Sequence, residues 1–132
     1  MKIDHIGIAV RALGEATKSY EETFGLKVSS VDQVEEQGVR LAMLDIGESR
    51  LELLEPTRDD SPIGKFLSKR GEGLHHIAIQ VENLELLLTR LKAAGVRLID
   101  EKPRNGAHNT KVAFIHPSST HGVLMELVQH GE

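Results

Sequence analysis

Apolar and polar positions along this 132-residue chain change period in a regular order. Ile6, Ile8 and Val10 alternate with His5, Gly7 and Ala9, the two-residue period of a strand. Leu13, Ala16, Tyr20 and Phe24 then step by three or four, which predicts a helix over 13–24, and Gly25 suits the left-handed residue that ends one. Three strand-like runs follow, 26–34, 38–46 and 50–55. The same plan recurs with a strand over 76–81 and a helix capped by Asn83, with Leu84, Leu87, Leu88 and Leu91 on one face and Gly95 closing it. Runs at 96–100, 111–116 and 122–129 complete it. Between the halves, Ser61 and Pro62 read as the cap and first residue of a short helix through Lys69, stopped by Gly71.

The recurrence extends to residue identity. Residues 5–13 (HIGIAVRAL) and 76–84 (HIAIQVENL) share His5/His76, Ile6/Ile77, Ile8/Ile79, Val10/Val81 and Leu13/Leu84. Gly25-Leu26-Lys27-Val28 resembles Gly95-Val96-Arg97-Leu98, and Leu51-Glu52-Leu53 resembles Met125-Glu126-Leu127. A unit of this size present twice points to duplication about a pseudo-two-fold axis; a solenoid needs about three units. The expected fold is α+β, a single domain over 1–132 built from two βαβββ modules, about 1–56 and 73–130, joined by a connector helix within about 57–72.

Strand parity then selects the candidate chemistry. The Ile/Val face of each first strand belongs to its helix, so His5 and His76 point the other way, beside the small residues Gly7, Ala9 and Ala78. Glu52 and Glu126 each sit between two apolar strand residues, where a carboxylate is costly to desolvate unless paired or metal-bound. A lone strand histidine or glutamate is ordinarily structural or solvent-facing. Two of each at equivalent repeat positions become one cluster if the halves face each other. Two neutral imidazoles and two carboxylates balance a divalent cation and leave positions open for a substrate. The remaining histidines offer less. His75 faces away from His76, His116 ends a strand before Pro117, His108 and His121 sit in glycine-containing loops that could border a pocket, and His130 falls in the tail.

Composition narrows the partners. The absence of cysteine excludes disulfides, thiolate metal sites and a cysteine nucleophile. A net charge of -4 provides no basic field for a phosphate backbone, and four aromatic residues are too few for a base-stacking platform. No apolar run approaches the ~18 residues of a membrane span, and the start, MKIDHIGIAV, is too short in apolar residues for a signal peptide. The expectation is a soluble cytoplasmic protein with neither a nucleic-acid nor a membrane partner.

Two βαβββ modules carrying His and Glu ligands resemble the vicinal oxygen chelate superfamily. Within it the chain is similar to the methylmalonyl-CoA epimerase family along essentially its whole length, through IDHIGIAV (3–10), YEETFGL (20–26), LELLEP (51–56), SPIGKFL (61–67), GLHHIAIQV (73–81) and HPSSTHGVLMELVQ (116–129). SPIGKFL, GLHHIAI and HP…GVLMEL carry most of the specificity. The resemblance implies an eight-stranded half-open barrel around a metal, a homodimer, metal ligands at His5, Glu52, His76 and Glu126, and epimerisation of methylmalonyl-CoA at C2. Cobalt is the expected ion, with manganese, nickel, iron and zinc compatible with the same donors. Glu126 is the family's candidate for one proton-transfer group. Some epimerases carry glutamate where Leu41 stands here, and some carry glutamine in place of Glu52. Since Leu41 cannot move a proton, the second group is open among a nearby acid such as Glu35, Glu36 or Asp45, a bound water, and Glu52, of which Glu52 is the expectation. No substrate-binding residue is marked, although the basic clusters Lys65, Lys69 and Arg70, and Arg104 with Lys111, are candidates for the CoA phosphates. Two competing readings are a glyoxalase I-type lactoylglutathione lyase, which the same four ligands fit, and a non-enzymatic drug-binding member, whose modules generally lack them.

Overall fold

A computed structural model of the chain describes residues 1–131. In the first module β1 (Lys2–Ala9) leads to α1 (Leu13–Phe24), β2 (Val28–Val34), β3 (Val39–Ile46) and β4 (Ser49–Pro56), with α2 (Pro62–Arg70) following. In the second, β5 (Gly73–Gln80) leads to α3 (Leu84–Ala93), β6 (Arg104–Asn105), β7 (Thr110–Ile115) and β8 (Met125–His130). Hydrogen-bonded strand order is β2-β3-β4-β1 in the first module and β5-β8-β7-β6 in the second, so the β-α-β-β-β plan and the α+β class are as expected. Compactness divides the chain into His5–His75, and Met1–Asp4 together with the chain from His76 onward. No described helix is long and apolar enough to cross a membrane.

Within His5–His75, one face of the sheet carries α1. Val10, Leu13, Ala42, Leu44 and Leu53 are buried there, flanked by Ile8, Ala16, Tyr20, Leu26 and Val28. Fully burying a Leu or Val is worth about 1.5–3 kcal/mol, so this face fixes which way each strand turns. Gly25 ends α1 in the left-handed region at φ 69°, its N–H donating to the Glu21 carbonyl. The connector helix begins as the sequence predicts: the fully buried Ser61 accepts a hydrogen bond from the Gly64 N–H (3.1 Å).

The second module repeats this arrangement. Val81, Leu84, Leu88, Ala113, Ile115 and Leu127 form its core under α3, and the Asn83 side chain accepts from the Leu86 N–H (3.2 Å). Two expected strand segments need correction. Residues 96–100 make no ladder, only an isolated bridge between Leu98 and Ile115. Ile99 and Asp100 both donate backbone N–H groups to the Phe114 carbonyl, and the Asp100 carboxylate takes the Phe114 N–H (2.9 Å). Side-chain and bifurcated bonds thus consume the groups a ladder would use, and the paired segment is displaced to the two residues of β6 beyond Pro103. The run at 122–129 likewise starts late: Gly122 (φ 92°) belongs to a turn and β8 begins at Met125.

Two helical glycines provide a test of the packing with opposite signs. A Cβ on Gly14 meets nothing within 4 Å, whereas one on Gly64 lies 2.6 Å from the Asp59 carbonyl oxygen and 2.8 Å from that of Arg58. Gly14→Ala should therefore stabilise the protein by about 0.5–1 kcal/mol, through the lower backbone entropy of alanine. Gly64→Ala should destabilise it by about 1–3 kcal/mol, since backbone must move. Urea denaturation of the two variants checks both signs.

Candidate functional site

In the first module, parallel pairing of β1 with β4 sets Gly7 opposite Glu52, and antiparallel pairing of β3 with β4 sets Met43 opposite Glu52 on the other side. Glu52 therefore points to the face away from α1, where Gly7 has no side chain to occupy the space beside it. His5, two residues before Gly7, shares that face. Its Nε2 lies 3.4 Å from Glu52 Oε1, and both side chains are less than a tenth exposed.

The second module builds the same pair at equivalent positions. Ala78 lies opposite Glu126 across β5 and β8, and Phe114 lies opposite it across β7 and β8. His76 Nε2 is 3.2 Å from Glu126 Oε1, again with both side chains buried. A small residue, glycine in the first module and alanine in the second, lies opposite each carboxylate. The one substantial difference is aromatic: the Phe114 ring meets the His76 ring edge-on, with centroids 5.6 Å apart.

Both N···O distances exceed the ≈ 2.7–2.9 Å of a charge-assisted hydrogen bond. They suit two donors that share an ion. Atoms about 2.1 Å from one cation lie about 3.0 Å apart at a right angle and about 3.4 Å apart at a tetrahedral angle. Neutral imidazole with carboxylate is also a donor pair that divalent first-row metals accept. Each module thus presents a buried bidentate half-site whose chemistry and spacing fit a divalent cation.

Apolar residues fill the next position on each glutamate's strand face. Leu41, only 2% exposed, lies opposite Leu54 on the Glu52 face, and Val112 lies opposite Val128 on the Glu126 face. Asp45 has the parity of Leu41 but is exposed near the Gly47 turn, and Glu35 and Glu36 are exposed in a 3-10 turn. Among the described residues, no acid other than Glu52 is buried on that face of β3 and β4.

The other histidines take structural places. His75 meets Phe66 edge-on at 5.0 Å between centroids. His116 Nδ1 accepts from the Ser118 N–H (3.0 Å) and so caps a 3-10 turn. His108 and His121 hold left-handed loop conformations at φ 53° and 58°. His130, expected in the tail, is instead the last residue of β8, with Nε2 2.5 Å from the carboxylate of the buried Asp4. Of the basic clusters, Arg104 is engaged with Asp100 (3.0 Å) and lies over the Phe114 ring, and Lys111 bonds Asn105 (2.5 Å). Lys65, Lys69 and Arg70 are exposed on α2.

Sequence reasoning misses two further residues. The Leu13 N–H, first in α1, donates to Glu55 Oε2 (2.7 Å), and the Leu84 N–H, first in α3, donates to Gln129 Oε1 (2.8 Å). Each acceptor lies three residues beyond a candidate ligand, in Glu52-Leu53-Leu54-Glu55 and Glu126-Leu127-Val128-Gln129. The signal is present in the repeat, hidden by a Glu/Gln difference.

Comparison with known proteins places these features. The Glyoxalase/Bleomycin resistance protein/Dioxygenase superfamily model matches residues 4–114. The ethylmalonyl-CoA/methylmalonyl-CoA epimerase of Cereibacter sphaeroides is 36% identical over 130 residues, covering 97% of each chain. A variant of the Streptomyces coelicolor methylmalonyl-CoA epimerase, solved in complex with 2-nitronate-propionyl-CoA, is 44% identical with a TM-score of 0.94, covering 99% of this chain and 95% of that one. A methylmalonyl-CoA epimerase solved with methylmalonyl-CoA and NH4+ is 43% identical with a TM-score of 0.93, covering 98% and 94%.

Proposed function

Because the chain belongs to the Glyoxalase/Bleomycin resistance protein/Dioxygenase superfamily and aligns end to end with methylmalonyl-CoA epimerases, we propose that it interconverts R and S methylmalonyl-CoA by removing and returning the C2 proton. The observation that carries the mechanism is the buried imidazole–carboxylate pair, built once in each module at equivalent strand positions. On this reading the two modules form one domain, residues 1–132, in which His5, Glu52, His76 and Glu126 are the ligands of one divalent ion. Cobalt is the preferred occupant; manganese, nickel, iron and zinc suit the same donors. The family resemblance also supports a homodimer.

A bound divalent ion supplies Lewis-acid stabilisation for the negative charge that develops on the thioester oxygen. The chain's own residues must manage the proton. Loss of the C2 proton leaves a planar enolate, and inversion requires delivery to the face opposite the one from which the proton left. A single group on one side returns the proton to its original face. Glu126 serves one face and Glu52 the other. The apolar pairs Leu41/Leu54 and Val112/Val128 support this division, because they leave each glutamate as the proton carrier on its own strand face. Met43 and Phe114 lie directly opposite the two glutamates.

Three outcomes are expected. Proton NMR in deuterated water should show rapid loss of the C2 proton signal of methylmalonyl-CoA, and an unchanged signal at high enzyme concentration would eliminate the epimerase reading. Chelation should abolish that exchange and added Co2+ or Mn2+ restore it; full activity in protein verified as metal-free would remove the ion from the mechanism. Glu52→Gln should retain fold and metal while turnover falls by about 10²-fold or more, the scale of a general base. Near-native turnover in that variant, with metal bound, would make Glu52 a ligand only.

A further inference from the structure

The two hydrogen bonds from strand side chains to helix N-termini coincide with the two candidate ligand strands. In each module the last bond of the parallel ladder comes just before the cap: Val10 N–H to the Leu54 carbonyl (2.9 Å), then Glu55 to the Leu13 N–H; Val81 N–H to the Val128 carbonyl (2.8 Å), then Gln129 to the Leu84 N–H. The positions opposite are equivalent too, Arg40 facing Glu55 and Lys111 facing Gln129. Ala12, at the start of α1, offers no side-chain cap, so the Leu13 donor depends on β4 for its partner. Glu55 and Glu52 lie on opposite faces of β4, as do Gln129 and Glu126 on β8.

A ladder alone does not fix such a strand. A slide by one residue reverses every side chain and is excluded by the apolar face. A slide by two residues keeps the inward and outward alternation and re-forms ladder bonds, yet it carries the glutamate about 6.6–6.8 Å along the strand, away from its histidine. A side-chain bond from the strand to the first N–H of a packed helix has one solution only. We propose that Glu55 and Gln129 are positioning residues that lock the register of β4 and β8, and so hold Glu52 beside His5 and Glu126 beside His76. Both devices need an acceptor oxygen at one reach from the backbone; the charge of Glu55 serves a separate, half-exposed pair between its Oε1 and Arg40 Nη1 (3.5 Å), which contributes little.

This deepens the four-ligand reading, and its metal arm rests on it; the arm without metal does not. The first measurement is nitrogen NMR of the histidine rings in the metal-free full chain. Glu55→Met should shift and broaden the His5 ring resonances and leave those of His76 native, and Gln129→Met should do the reverse. Glu55→Asp, a milder shortening, should move the same His5 signals, and Glu55→Gln should restore them because its amide oxygen still accepts from the Leu13 N–H. Leu67→Ala and Leu88→Ala loosen buried packing without touching either cap and should move neither ring. With Co2+ alone as the probe, each methionine variant should bind about tenfold more weakly, with the two alanine controls within about twofold of native, the scale on which supporting contacts act at metal sites. Native His5 signals in both Glu55→Met and Glu55→Asp, or shifts of equal size in the Leu67→Ala control, overturn the proposal. A native protein that binds no Co2+ removes the four-ligand reading and leaves the ring resonances to decide the register lock.

Discussion

Each module buries a glutamate against a histidine, and that placement constrains everything around it. Taking a carboxylate out of water costs several kcal/mol even after relaxation, and its attraction to a neighbour offsets this only when the geometry is good. Glu52 and Glu126 are both under a tenth exposed. Nothing in the packing of β4 or β8 requires a charged group at those points, since Leu54 and Val128 fill the next position on the same faces. The proposed ligand role accounts for a cost borne twice, at equivalent places. The residues opposite them, Gly7 and Ala78, are both small.

Duplication explains how the arrangement is supported, and its departures are as informative as its agreements. The ladder closures, the helix caps and the basic residues opposite them recur with the same register in both modules. What differs is the surroundings. Met43 lies opposite Glu52 where Phe114 lies opposite Glu126, and the seven-residue β2 is reduced in the second module to the two residues of β6. The shorter edge has a consequence at the site: Asp100 is free of a ladder, so it takes the Phe114 N–H and pairs with Arg104, whose guanidinium covers the Phe114 ring. The ring that contacts His76 is thus held from both its backbone and its face, an arrangement with no counterpart at Met43.

Most of this is legible in the amino-acid sequence. Period-two and period-3.6 patterns locate the longer helices and the core strands to within a few residues, because one face of each is apolar and the signal is redundant. Gly25 and Asn83 are readable as helix ends for local reasons of backbone conformation and capping. The candidate ligands are legible because two weak signals coincide with a repeat. The segment 96–100 misleads because Val96 and Leu98 pack against α3 and so alternate as strand residues do, while their backbone groups bond elsewhere. The Asp4–His130 pair joins residues at opposite ends of the chain, a distance over which no local pattern carries information. Glu55 and Gln129 escape notice for a different reason: side-chain acceptors for a distant backbone N–H leave no periodicity.

The position of Leu41 links these points to the reaction. Its side chain is buried opposite Leu54, in the same relation to Glu52 that Val112 bears to Glu126. Where an acid replaces such a residue, one module gains a second proton carrier and the internal symmetry is broken. Here both sides stay apolar and the symmetry is kept, so the proposed reaction, which must deliver a proton to either face of a planar intermediate, has one carboxylate available on each candidate ligand strand. The proposed mechanism then asks for a glutamate rather than a glutamine at residue 52, because glutamine can hold an ion through its oxygen but cannot take a proton from C2. Under the proposed mechanism, the repeat supplies the two carboxylates that epimerisation requires.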